Sequence, residues 1–464
     1  MTSVGAPPRT AAARLAEFCT ELRWGALGAD VRARTPELLL DLIGVGLAGS
    51  RQPSSLPAAQ VASSLGGQGT ATIFGTKRTT SAVWAALANG TAAHAVELDD
   101  VTTESSLHPG VAVIPAALAL AEELNASPQA LLEAIVAGYE VTMRVGNALN
   151  PASAYARGFH PTGVAGVFGA TAAAARLLGL STEALTSALG IAGTLASGSL
   201  EYLADGAWTK RLNPGWAGHA GITAARLAQA GFTGPATVFE GRLGVLHAYT
   251  DAPNPARLLG DLGDLKALQV MRVSIKPYAC CRYNHGLIDC ILQLTRDHHI
   301  DPAGVQRIRL GVLSGGALLV ADPIEQKRDP HSIVDAQFSA PYAAAVSLAY
   351  GTGGIDAYTE VKLHDPTVRA LMSRTDCYRD PELDAVYPRQ WPSSAEIQLT
   401  DGRTVSTTVP FATGEPENPV SRAALIEKFV SLAAESAADP PALADLILSL
   451  DAAPDLSALS AALR

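Results

Sequence analysis

What this chain of 464 residues has little of narrows its class before any motif is read. Aromatic residues make up 5% and charged residues 17%, against 48% hydrophobic, so the interior is built from small aliphatic side chains. Abundant alanine favours packed helices over a sandwich of strands. There is no basic excess: the net charge is −10 and the pI near 5.5, which removes the general electrostatic case for nucleic acid or an anionic membrane surface. No uninterrupted apolar run reaches the roughly 20 residues a spanning helix needs. The start, Met1 to Arg9, lacks the basic-then-apolar order of a signal peptide. A cytoplasmic protein is expected.

Cysteine is sparse as well. Cys19, Cys280, Cys281, Cys290 and Cys377 form an odd set with no CxxC pair and no histidine at zinc spacing. No disulfide framework, metal cluster or Gly-rich phosphate fingerprint is indicated. The adjacent Cys280 and Cys281 sit in a basic and polar segment and read either as a reactive pair or as small buried hydrophobes, the commoner case.

Against this background Asn89 to Asp100, followed by His108-Pro109-Gly110, is conspicuous. Three carboxylates (Glu97, Asp99, Asp100) and two imidazoles (His94, His108) gather within a few turns of otherwise apolar sequence. If the helix that begins near Ala82 continues, His94, Glu97 and Asp100 share one face. Acids and an imidazole at the end of a buried helix suit proton transfer. The structural alternative is that Asp99 and Asp100 cap a helix or bridge to an arginine.

Two further polar loops interrupt the apolar text. Tyr155 to Gly163 puts a phenol, a guanidinium and His160 in one turn, and Trp208 to Gly215 carries Lys210 and Arg211, which read as an ordered loop or as a surface pair. Residues 1–10 read as disordered. Thr10 to Leu27, Ala33 to Gly49 and Ala82 to Ala95 read as helices. Ser127-Pro128 and Ser181-Thr182 each have an N-cap signature that opens another. Near residue 268 the pattern turns to β-branched alternation: Val270 to Lys276, Arg307 to Leu313 and Ala395 to Val409, the last a hairpin about Asp401-Gly402. Helices at 284–296, 335–349 and 365–374 lie between them. The expected fold is mainly α: a helical domain from 1–267 and 412–464, with an α+β domain inserted at 268–411.

These motifs, together with Gly215 to Gly221, Lys276-Pro277-Tyr278, Cys281 to His285 and Val334 to Tyr342, resemble in order and over nearly the whole chain the 2-methylcitrate dehydratase (MmgE/PrpD) family. The resemblance implies an all-helical domain from both chain ends, a smaller α+β lid and a homodimer. It also implies an interdomain active site that needs no metal, nucleotide or flavin. Members act on carbon next to a carboxylate, as dehydratases, decarboxylases or epimerases. The resemblance implies Lys210 as a catalytic lysine. His108, His160, Tyr155, Asp99 and His285 are the other catalytic candidates, and Asp100, Glu97, Arg282, Arg211 and Gln337 candidates for holding a small carboxylate substrate. The chemistry fits: removing a proton α to a carboxylate adds charge to an anion, so the site must supply cations and a tuned base. Relative to the family's decarboxylases, Val101 stands where a threonine often follows the paired acids. There is also one residue more before His108, and Leu319 lies near an expected tyrosine. Dehydration of a hydroxy di- or tricarboxylate is therefore placed first, epimerisation of a dicarboxylate second and decarboxylation behind both; a non-catalytic binding protein is the alternative outside enzymes.

Overall fold

The structure, a computed structural model, describes residues 9–464, and the chain is mainly α-helical. Of the stretch expected to be disordered, residues 1–8 lie outside the described range, whereas Thr10 caps the first helix, Ala11–Glu21, accepting from the Ala13 amide at 3.3 Å. The chain divides into two compact units. One holds residues 1–95, 105–272 and 422–464; the other holds 96–104 and 273–421.

The helical unit is held together by side chains small enough for backbones to approach. Helices Pro128–Leu149 and Pro161–Leu177 meet at Gly138 and Gly169, where a β-carbon on Gly169 would fall 2.5 Å from the Gly138 carbonyl oxygen. Ala82–Ala93 crosses Thr209–Gln229 at Gly90 and Gly215, and a β-carbon on Gly215 would lie 2.3 Å from the Leu87 carbonyl. The Ser127 and Ser181 hydroxyls accept from the Ala130 and Ala184 amides at 3.2 Å, each opening its helix as its side-chain chemistry requires. Helices Ala29–Gly49 and Gly110–Leu124 are buried along nearly their whole inner length. Their apolar surface is therefore largely consumed inside the unit. Among the large apolar residues left exposed, Trp208, Leu212 and Trp216, four residues apart, share one face at the start of Thr209–Gln229.

The second unit is α+β. Its sheet runs in the order Thr375–Arg379, Val305–Val312, Ser393–Leu399, Thr404–Val409, with the first pair parallel and the others antiparallel. Gly402, at φ 90°, makes the expected hairpin turn. Helix His285–His298 packs on the last two strands and on Ala340–Tyr350. The expected strand at Val270 to Lys276 does not form: Gln269–Arg272 is a 3-10 turn, and only Ser274 pairs, with Val101, so there is no neighbouring strand to extend a ladder.

Candidate active site

The helix that opens at Ala82 stops at Ala93, and this changes the geometry of the acidic run. His94 is its C-cap, and Glu97 takes a left-handed φ of 56°. The shared helical face expected for His94, Glu97 and Asp100 is therefore not formed. His94 stays with the helical unit, whereas Glu97, Asp99 and Asp100 belong to the α+β unit, where all three are buried.

In the helical unit three imidazoles come together from three separate segments. The His94 ring lies 4.9 Å from His108, edge to face, and 5.9 Å from His160, nearly parallel. His94 and His160 are buried, and the His108 amide donates to Thr162 Oγ1 at 3.2 Å, which ties its loop to the start of the His160 helix. His160 is the N-cap of Pro161–Leu177, and its amide donates to the Gly198 carbonyl at 3.0 Å. Asn213 Nδ2 sits 3.1 Å from His160 Nδ1, and the Tyr202 ring approaches edge-on at 5.9 Å. Lys210 is the second residue of Thr209–Gln229, one turn before Asn213, so this loop reading resolves into an ordered helix start. Neighbouring Arg211 donates to Ser54 Oγ at 2.8 Å, a tie between two helices. Tyr155 is partly exposed and its hydroxyl donates to the Ser106 carbonyl at 3.0 Å.

Such a cluster can shuttle protons, because each imidazole accepts on one nitrogen while donating on the other. The His94 and His108 rings also offer two nitrogen donors of the type a transition-metal ion takes.

The α+β unit carries the remaining candidates. Lys276 is fully buried and pairs with Glu97 at 3.8 Å. Gln337 Nε2 donates to the Ala279 carbonyl at 3.0 Å and the Val96 carbonyl at 3.3 Å, and its own carbonyl accepts from the Cys281 amide at 2.9 Å. Gln337 therefore braces the Cys280-Cys281 turn through backbone bonds. Arg282 pairs with buried Glu415 and lies 5.7 Å above the Trp391 ring. Burial lowers its guanidinium to about 10, against the opposing pull of Asp289. It is still a cation at neutral pH. His285, buried at the start of its helix, has Nε2 3.4 Å from the Cys280 carbonyl and packs against Tyr278. Burial pushes the Cys280 thiol up to about 12, so it is not a thiolate at neutral pH and the reactive-pair reading fails for it.

The structure adds four residues to the candidates read from sequence: His94, Lys276, Tyr202 and Asn213. His94 and Lys276 stood inside recognised motifs without an assigned role. Asn213, before a helix-interior Pro214, had its signal in the low helix propensity of an Asn-Pro-Gly run.

The same chain matches the MmgE/PrpD N-terminal domain over residues 13–258 and the MmgE/PrpD C-terminal domain over residues 278–452. It is 30% identical to the cis-aconitate decarboxylase-like protein oryM of Aspergillus oryzae, over 98% of this chain and 97% of that one. Identity to the cis-aconitate decarboxylase of Aspergillus terreus is 28%, over 99% and 97% of the two chains. Identity to the Homo sapiens cis-aconitate decarboxylase is also 28%, over 88% and 84%. Matches to both family domains, and relatives alike from end to end, show that the chain belongs to the MmgE/PrpD family.

Proposed function

We propose that this protein is a cofactor-independent lyase that removes a proton next to a carboxylate of a small di- or tricarboxylate. Family membership supports a lyase-type role. The observation that carries the proton-transfer reading is that the His94 ring lies within 6 Å of both His108 and His160, and that His160 meets Asn213, one helical turn after Lys210. An imidazole takes the proton, Lys210 supplies positive charge as the carbanion develops, and a second imidazole returns a proton to the leaving group. Loss of water from a hydroxy acid such as 2-methylcitrate is the first reading.

Decarboxylation is a second reading favoured by one specific observation: of the relatives aligned along the whole chain, one is named a cis-aconitate decarboxylase and another a cis-aconitate decarboxylase-like protein. Both reactions share the need to stabilise charge beside a carboxylate and differ in what departs, water or carbon dioxide. Incubating the protein with 2-methylcitrate, citrate and cis-aconitate separately, with proton NMR of the products and a carbon dioxide trap, decides between them. Epimerisation would appear as deuterium uptake from heavy water with no new alkene. Failure of every carboxylate to exchange a proton would defeat the reading.

A lid role for the α+β unit belongs to the same proposal, and hydrogen exchange slowed in both units by a bound substrate analogue would support it. The proposal extends to a homodimer, for which the exposed Trp208, Leu212 and Trp216 face offers apolar surface, and to a cytoplasmic location. No helix among the described residues is long and apolar enough to cross a membrane. Turnover unchanged by a chelator is the result expected of metal-free chemistry.

A further inference from the structure

We propose that Asn213 is a positioning residue that holds neutral His160 in the Nε2–H tautomer, so that His160 enters the reaction from Nε2 as a hydrogen-bond donor to developing negative charge rather than as the base. The inference deepens the lyase reading and rests on it for the word reaction; the tautomer itself does not depend on the substrate.

Asn213 Nδ2 lies 3.1 Å from His160 Nδ1. A carboxamide nitrogen carries two hydrogens and accepts none, so Nδ1 must present its lone pair. A neutral imidazole has a single N–H, which is then on Nε2. The ring stands at the amino-terminal end of the 17-residue helix Pro161–Leu177.

The backbone around this contact is closely specified. The His160 carbonyl accepts from the Gly163 amide at 3.0 Å and the Val164 amide at 3.2 Å, while its amide is held by Gly198. Gly163 leaves the room: a β-carbon there would lie 2.6 Å from the Ser197 carbonyl oxygen and 3.4 Å from Asn213 Cβ. Pro214, directly after Asn213, removes an amide from the helix interior, an irregularity placed next to the residue that meets the histidine. His94 lies nearly parallel to His160 at 5.9 Å between ring centroids.

The test is nitrogen-15 NMR of histidine-labelled protein at neutral pH, with the His160 signals identified by their loss in His160→Gln. The expected result is a pyridine-like Nδ1 and a pyrrole-like Nε2. In Asn213→Asp the carboxylate accepts where the amide donated, so the proton moves to Nδ1. kcat should fall roughly 100-fold, the range in which loss of one oriented hydrogen-bond donor to developing charge acts, with KM little changed and the pH profile of kcat displaced upward. Asn213→Ala, checked by its melting curve, should lose the tautomer preference without that upward displacement. A protonated Nδ1 in the wild-type protein overturns the proposal whether or not any variant folds. A wild-type Nε2–H tautomer together with an Asn213→Asp protein of unchanged kcat and pH profile overturns the positioning role. If the tautomer is as stated and no carboxylate is turned over, it is the lyase reading that fails.

Discussion

Replacing Lys276 by methionine should destabilise the protein far more than replacing Lys276 and Glu97 together. The two charges are 3.8 Å apart and 1% and 5% exposed, so neither is screened by solvent. At an effective dielectric of about 20 their attraction is roughly 4 kcal/mol. Taking one partner away leaves the other buried with that attraction lost, and such single removals cost about 3–5 kcal/mol. Removing both, in Lys276→Met with Glu97→Gln, also removes the desolvation cost of two charges, and the double variant should lie within about 1 kcal/mol of wild type. Glu97 keeps its left-handed backbone in every variant, so that strain cancels from the cycle. The assay is denaturant or thermal unfolding of the four proteins, with turnover measured in parallel on the identified substrate. A coupling energy of about 2 kcal/mol or more is expected. A coupling below about 0.5 kcal/mol would show that the pair does not hold the unit and would refute the reasoning. If Lys276 also serves the chemistry, the double variant recovers stability and stays inactive.

Lys210→Ala should remove about 3–5 kcal/mol of transition-state stabilisation, a loss of hundreds- to thousands-fold in kcat, while its folding stability, read from a melting curve, stays within about 0.5 kcal/mol of wild type; near-normal turnover would return Lys210 to a surface role. Gly215→Ala should cost about 1–3 kcal/mol or more, read from unfolding curves, because the new methyl would sit 2.3 Å from the backbone carbonyl of Leu87 and only a shift of the helix relieves it. His219 stacks on Trp216 and meets Trp84 edge-on, and burial lowers its imidazole below the ordinary 6.5, so the unfolded chain takes up that proton first. Stability should therefore be lost as pH falls below about 6.5, and His219→Gln should reduce the difference in melting temperature between pH 7.5 and pH 5.5. Thiol reagents at neutral pH should leave Cys280 unmodified in the folded protein and reach it only on unfolding, as mass spectrometry of the labelled peptide would report.

Local chemistry decided what was legible without coordinates. Ser127 and Ser181 cap helices because a hydroxyl next to a first-turn amide does so wherever the chain runs on as helix, and Gly402 turns a hairpin because it alone tolerates the backbone angle there. His108 and His160 were legible as candidates because each sits where Pro and Gly break an apolar helical text. The order of motifs along the chain was enough to place it in its family. Tertiary structure decided the rest through contacts between segments remote in sequence. The helix from Ala82 has no local signal to stop at Ala93; it ends where Gly90 presses on Gly215 and where Glu97 turns away toward Lys276. Val270 to Lys276 has the alternation of a strand but no neighbouring strand to pair with, so it stays irregular. Helices Ala29–Gly49 and Gly110–Leu124 carry apolar residues on every side, and only packing shows that their own unit covers them. Asn213 became a partner of His160 only when two helices met at glycines, because a hydrogen bond between side chains depends on distances that no local pattern encodes.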